Sequence, residues 1–337
     1  MGDESESGSA MDFMQILSNT LAQILAPATF GYALAAIGLS VHFGFAGLLN
    51  MGVAGFMAMG AYGFAISILT FGLPWGVAAL IGLIAAALFA IVLGIPTLRL
   101  RGDYLAIVTI AAAEVLRLLF LTSVWRNVTG SADGLFNYQQ GFRGVNNPLP
   151  AGTYGIGPWT YTADQWWVII LGALAVALAL VLVWMLMRSP WGRVVRGIRE
   201  DEDAVRALGK NVFSFKMQAL ILGGVIIAAG GIVTAMGSNV NPNVYVTSQT
   251  FYIWTALLLG GAATIFGPLL GAVLFWVVRA FLSNLLPALV DIGWLPFLTN
   301  EQAQMLVFVL VGIALMLLVI FRPQGILGSK KELTFVR

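Results

Sequence analysis

The placement of charge constrains this chain more than any other feature. No Asp, Glu, Lys or Arg occurs from Phe13 to Leu98, from Gln165 to Met187, from Met217 to Val278, or from Gln302 to Phe321. Each block is long enough to cross a hydrocarbon core, which takes about 20 apolar residues per helix. A bilayer offers backbone amides no water, so each crossing must be a helix or part of a closed barrel. Barrel strands alternate in polarity over about 10 residues. A stretch such as Trp166 to Met187 is apolar all round instead, so the blocks read as helices. Charged residues are 9% of the 337, against roughly 25% in soluble domains, and mean hydropathy is +0.91. The expected fold class is all-α: a polytopic transmembrane helical bundle of about 8–10 spans.

Nine segments carry that reading. They are Asn19 to Val41, Gly52 to Phe71, Pro74 to Leu98, Tyr104 to Thr122, Gln165 to Met187, Met217 to Gly237, Thr250 to Ala263, Pro268 to Leu286 and Ala303 to Phe321. Two places look broken. His42 to Asn50 is Gly-rich, and Thr250 to Ala263 is short and ends in Gly260-Gly261, with Gly267-Pro268 opening the next span. Glycines also crowd the spans, as at Gly52, Gly55, Gly60 and Gly63, or Gly223, Gly224, Gly230 and Gly231. In lipid, close backbone approach through small residues supplies the packing that hydrophobic burial supplies in water.

Orientation follows from Lys and Arg, which are retained on the cytoplasmic side. The loop 188–216 holds Arg188, Arg193, Arg196, Arg199, Arg206, Lys210 and Lys216, so it is placed inside. Counting spans puts Arg99, Arg101, Arg322, Lys330 and Lys331 inside with it, and the loop 123–164 outside. The net charge of +2 therefore reflects membrane topology and not nucleic-acid binding. The outer loop has turn residues throughout and many aromatics, and either connects two spans or docks an external partner. The acidic start lacks the basic residues of a signal peptide, so none is read. The expected organisation is a tail at 1–11, a membrane domain at 12–328 and a cytoplasmic tail at 329–337.

Loop 188–216 is the most informative stretch. Asp201 or Asp203 can cap a short helix whose first turn is acidic, where the helix dipole favours negative charge. Ala204, Val205 and Leu208 give it an apolar side, and Gly209 stops it as C-terminal glycines do. The result is an amphipathic helix of about two turns lying across the inner face. It is either a solvated connection or a coupling helix that fits a groove in a motor subunit.

Within the spans, ionisable groups are functional candidates by default. Glu114 and Arg117 lie deep in one span, three residues apart and so on one helix face. They either tie helices together or line a pathway or gate. His42, the only histidine, is either a hydrogen-bonded packing residue or a pathway group that acts as a ligand or proton carrier. Asn50, beside the break, could contact a zwitterion, since half-helix N-termini suit carboxylates. One histidine cannot form the His-Glu-x-x-His pair of a metalloprotease, and no metal site is read. A single buried carboxylate argues against an ion-coupled secondary transporter.

Four motifs, in order, resemble branched-chain amino acid permeases of the LivM/LivH type. They are Gly38-Leu-Ser-Val-His-Phe-Gly-Phe-Ala-Gly-Leu-Leu-Asn-Met-Gly; Leu98-Arg-Leu-Arg-Gly-Asp-Tyr-Leu-Ala-Ile-Val-Thr through Glu114-Val-Leu-Arg117; Gly192-Arg193 through Glu200-Asp201-Glu202, Ala204, Leu208-Gly209 and Lys216; and Leu259-Gly-Gly-Ala-Ala-Thr-Ile-Phe-Gly-Pro, closed by Phe321-Arg-Pro-Gln-Gly. The resemblance implies an inner-membrane permease subunit of an ABC importer for leucine, isoleucine and valine. Related permeases carry urea, short amides or other amino acids. It implies a second, homologous or identical permease, two cytoplasmic ATPase subunits and an external solute-binding protein. It places Glu200, Asp201, Asp203, Ala204, Leu208 and Gly209 against the ATPase. ATP and Mg would be held by those partners, because this chain has no Gly-x-x-x-x-Gly-Lys-Ser/Thr phosphate loop. No cofactor is expected in the chain itself.

Overall fold

The structure, a computed structural model, describes residues 14–99, 102–143, 147–295, 297–322 and 324–328. The tails at 1–11 and 329–337, with Arg101, Lys330 and Lys331, lie outside the described residues. The fold is helical apart from one short ribbon, in keeping with the expected all-α class. A helix at 14–22 (α1) is followed by α2 (Pro27–Leu39), α3 (Val53–Phe71), α4 (Trp75–Thr97) and α5 (Gly102–Leu121). The outer loop holds α6 (Arg126–Thr129), α7 (Gln140–Arg143) and a two-strand ribbon, β1 (Thr153–Tyr154) with β2 (Tyr161–Thr162). Then come α8 (Ala163–Arg188), α9 (Pro190–Glu200), α10 (Glu202–Ala207), α11 (Val212–Gly237), α12 (Thr247–Gly260), α13 (Gly267–Asp291) and α14 (Asn300–Phe321).

Eight helices among the described residues are long and apolar enough to span a bilayer. The ninth expected span, α12, has 14 residues, or about 21 Å, which is short of the roughly 30 Å core. The first expected span requires correction. It does not run unbroken from Asn19, because Pro27 forces Ala26 into an extended conformation and α2 begins there.

The bundle closes around α11, which packs against α2, α3 and α4. Glycine decides how closely. A Cβ on Gly60 of α3 would stand 2.3 Å from the Ala228 carbonyl oxygen of α11, and one on Gly38 of α2 would stand 2.4 Å from that of Gly223. Backbone meets backbone at these crossings, which only glycine permits. By contrast α4, α5, α8, α13 and α14 leave most of their surface facing outward, as lipid-contacting helices do.

Contacts also sort the loops onto two faces. On one, Arg199 of α9 donates to the Gly44 carbonyl, the Ser40 hydroxyl donates to the Ala262 carbonyl, and the 326–327 amides donate to the Leu259 and Gly260 carbonyls. Loop 188–216 and segment 324–328 therefore share a face. On the opposite face, the Tyr138 hydroxyl reaches the Ala235 and Ser238 carbonyls at 2.7 and 2.6 Å. Arg143 donates to Met236 and Gly237, and Leu135 bridges Val240. The loop between α5 and α8 is thus a lid fixed to the end of α11. Tyr138 and Phe142 are buried in it, and burial raises the Tyr138 hydroxyl pKa above its ordinary value.

Candidate functional site

The first break begins where α2 winds into a π-helical turn, Ser40–Phe45. The chain then leaves the helix at Gly47, whose φ of +68° suits glycine, and re-enters helix only at Val53. Such a path strands polar groups inside an apolar bundle, where each orphan costs about 1–3 kcal/mol. Side chains collect them. The Asn50 amide donates to His42 Nδ1 at 3.0 Å, and its Oδ1 accepts the Gly52 amide at 2.8 Å. Thr109 of α5 accepts the Met51 amide at 2.9 Å, and Thr250 of α12 accepts that of Ala54 at 3.1 Å. Trp254 donates to the Asn50 carbonyl at 3.2 Å.

His42 completes the network. Its Nε2 lies 3.0 Å from the Leu220 carbonyl of α11, which can only accept, so Nε2 carries the proton and Nδ1 is the acceptor for Asn50. The ring is neutral in this arrangement, and both His42 and Asn50 are fully buried. Sequence reasoning singled out each residue separately; the structure bonds them to one another. Asn50→Leu keeps the volume but orphans His42 Nδ1 and the Gly52 amide. The expected result is a loss of about 2–6 kcal/mol, two orphans at the cost above, read as a fall of several degrees in the melting temperature of the purified protein.

Glu114 and Arg117 do share a face of α5. Arg117 Nε lies 3.0 Å from both carboxylate oxygens, and Nη2 lies 2.6 Å from Oε1. The pair is half-buried, on a helix whose Ile107, Val115, Leu118 and Leu119 face outward. It therefore sits on an open side of the single chain.

In the arm at 188–216 the expected short helix, α10, is preceded by a second one, α9. Ser189 caps α9, with Pro190 in its first turn. Asp201 caps α10, its Oδ1 accepting the Asp203 and Ala204 amides at 3.0 Å each. Glu202 bridges Arg206 and Lys216, and Arg206 also pairs with Asp203. Val205 packs with Ile198 of α9 and Val212 of α11, which joins the arm to the start of α11. Gly209 ends α10 at φ +75°, as its position predicts. The expected apolar side divides: Val205 turns inward, while Ala204 is exposed and Leu208 is 78% exposed. Glu200 closes α9 and pairs with Arg199 at 3.2 Å.

Sequence reasoning passed over Arg199 and Arg279. Arg199 reads as one of many topogenic cations, yet it reaches the broken segment at Gly44 and packs on Gly47. Arg279 lies midway along α13, and its position inside an otherwise uncharged span was the available signal.

A multi-pass bundle with a polar-lined break in its core and an exposed amphipathic arm on one face has the anatomy of a membrane permease. A family model described as "Branched-chain amino acid transport system / permease component" matches residues 21–320, and the chain belongs to that family. It is 30% identical over 325 residues to the high-affinity branched-chain amino acid transport system permease protein LivM of Salmonella typhimurium, covering 90% of this chain and 69% of the relative. It is 25% identical over 267 residues to a probable branched-chain amino acid transport permease protein LivM of Methanocaldococcus jannaschii, covering 76% and 68%. The nucleoside ABC transporter permease protein NupC of Lactococcus lactis is 27% identical over 208 residues, covering 60% and 61%. Among solved structures, PsaBC from Streptococcus pneumoniae in complex with Fab aligns at a TM-score of 0.40 and 18% identity, over 89% of this chain and 91% of that one. Members of the matched family are permease subunits, which are transport components and not catalysts.

Proposed function

We propose that this chain is one permease subunit of an ATP-driven importer and forms half of the pathway for leucine, isoleucine and valine. The observation that carries the reading is the arm at 188–216. Its outer edge presents Leu208 to solvent with nothing among the described residues to cover it, and its inner edge is tied through Arg199 to the break in α2. A surface leucine on a rigid arm suits a groove in a motor subunit. The tie to Gly44 gives arm movement a direct route to the His42–Asn50 latch. On this reading Glu200, Asp201, Asp203, Ala204, Leu208 and Gly209 face two cytoplasmic ATPase subunits that bind ATP and Mg. A homologous or identical permease covers the open side carrying Glu114 and Arg117. An external solute-binding protein docks on the outer lid. The chain resides in the inner membrane with its C-terminal segment cytoplasmic, by the excess of Lys and Arg on that face.

The test is uptake by the reconstituted assembly of both permeases, ATPases and binding protein. Labelled leucine should accumulate only with ATP inside reach of the ATPases, and labelled urea should not. A nucleoside is the second reading, favoured by the similarity to a nucleoside permease, and guanosine uptake in place of leucine would establish it. Uptake without ATP that collapses with the ion gradient would instead mark a secondary transporter.

A further inference from the structure

Arg279 is the only charged side chain between Met217 and Val290. It lies roughly 18 Å along α13 from Gly267, near the middle of the span. Ionisable groups at such depth face a pathway or a partner charge. No carboxylate lies within ion-pair reach of Arg279 among the described residues. The guanidinium rests against the Trp276 ring at 4.8 Å and the Tyr252 ring at 5.6 Å. It reaches the Tyr252 hydroxyl through a weak side-chain hydrogen bond that falls short of normal geometry.

Two more donors beside it lack a well-formed hydrogen bond. Gln249 is 6% exposed, and its Nε2 has no partner at normal geometry. The buried Tyr252 hydroxyl has none either. Tyr32 links the group: its hydroxyl makes a weak contact with the Gln249 side chain, it lies near Arg279 and Tyr252, and its ring stacks on Trp276 at 4.3 Å. Gln249 and Tyr252 occupy the first two turns of α12, whose N-terminus has no side-chain cap. Around them stand mostly rings: Trp276, Phe275 and Phe308. The inventory is a cation, an amide N–H and a hydroxyl, with no anionic acceptor. Buried polar groups are normally paired, so this cluster lacks a partner that accepts several hydrogen bonds and carries negative charge. A carboxylate meets both needs, since guanidinium binds it through parallel donors.

We propose that Arg279, Gln249 and Tyr252 form an intramembrane subsite for the α-carboxylate of the transported amino acid. The proposal rests on the amino-acid reading above and assigns a residue set within it.

Two measurements on the complete reconstituted transporter test it. In the first, Gln249→Glu supplies Arg279 with a near-isosteric internal carboxylate in place of the ligand's. Leucine uptake should fall at least tenfold while the assembly purifies intact with an equal or higher melting temperature. Arg279→Gln should fall as far, and Arg279→Lys less. In the second, leucine should raise the melting temperature of the wild-type permease pair and leucinamide should not, with the shift lost in Arg279→Gln. Wild-type uptake by Gln249→Glu, or equal protection by leucinamide, overturns the subsite. So does protection by phosphatidylglycerol alone, which would make this a lipid headgroup site. So does loss of the second permease from Arg279→Gln, which would make it a subunit contact. If the wild type imports no amino acid, the parent reading fails first; wild-type leucine import unaffected by Gln249→Glu removes the subsite alone.

Discussion

Leu208→Arg abolishes import while leaving the membrane bundle folded. The side chain is 78% exposed at the end of α10 and touches no core cluster, so the folded chain loses little by the change. Surface substitutions of this kind fall within about ±0.5 kcal/mol. On the proposed coupling role of α10, the loss arises in the assembly. Burying leucine in a partner's groove contributes about 1.5–3 kcal/mol, and a guanidinium placed there without a carboxylate costs a further few kcal/mol. Together these weaken ATPase binding by at least about 100-fold, since each 1.4 kcal/mol is a factor of ten. Gly209→Pro acts on the same element by geometry, because proline holds φ near −65° where the chain needs +75°. The readouts are co-purification of the ATPase and ATP-driven leucine uptake. Full-rate import by either variant would show that α10 transmits nothing.

Gly60→Val prevents the bundle from closing. The valine Cβ would stand 2.3 Å from the Ala228 oxygen, 2.8 Å from its carbonyl carbon and 2.9 Å from its Cα. All three atoms are backbone, so no side chain can swing aside. Helices α3 and α11 must separate, and every neighbouring contact along that crossing loosens with them. Overpacking costs typically 1–3 kcal/mol where side chains can adjust. With rigid backbone on both sides we expect about 4 kcal/mol or more, a large share of the roughly 5–15 kcal/mol that holds a domain together. The yield of monodisperse protein on size exclusion should collapse. Gly312→Val on α14 is the control, since a Cβ there meets open space. If Gly60→Val behaves like that control, the close crossing of α3 and α11 is not what holds the core.

Much of this architecture was legible from charge alone. Blocks without Asp, Glu, Lys or Arg must be helices in hydrocarbon, so the bundle and the position of its loops followed without any contact being known. The capping of α10 by Asp201 and its end at Gly209 were also legible, because helix termini are governed by residues within a few positions of each other. The i, i+3 pairing of Glu114 with Arg117 was readable for the same reason.

What remained hidden was long-range. His42 and Asn50 stood out one at a time, but their hydrogen bond depends on how a π-turn and an extended segment fold back on each other. Thr250 and Thr109 look like ordinary span residues until α12 and α5 bring them to the start of α3. Arg199 was one cation among seven in its loop until the arm docked beneath Gly44. The sequence determined which segments enter the membrane, because transfer from water to lipid depends on each segment's own composition. Only the tertiary structure decided which buried polar groups meet, because hydrogen bonds between elements depend on helix position and rotation, which no local pattern encodes.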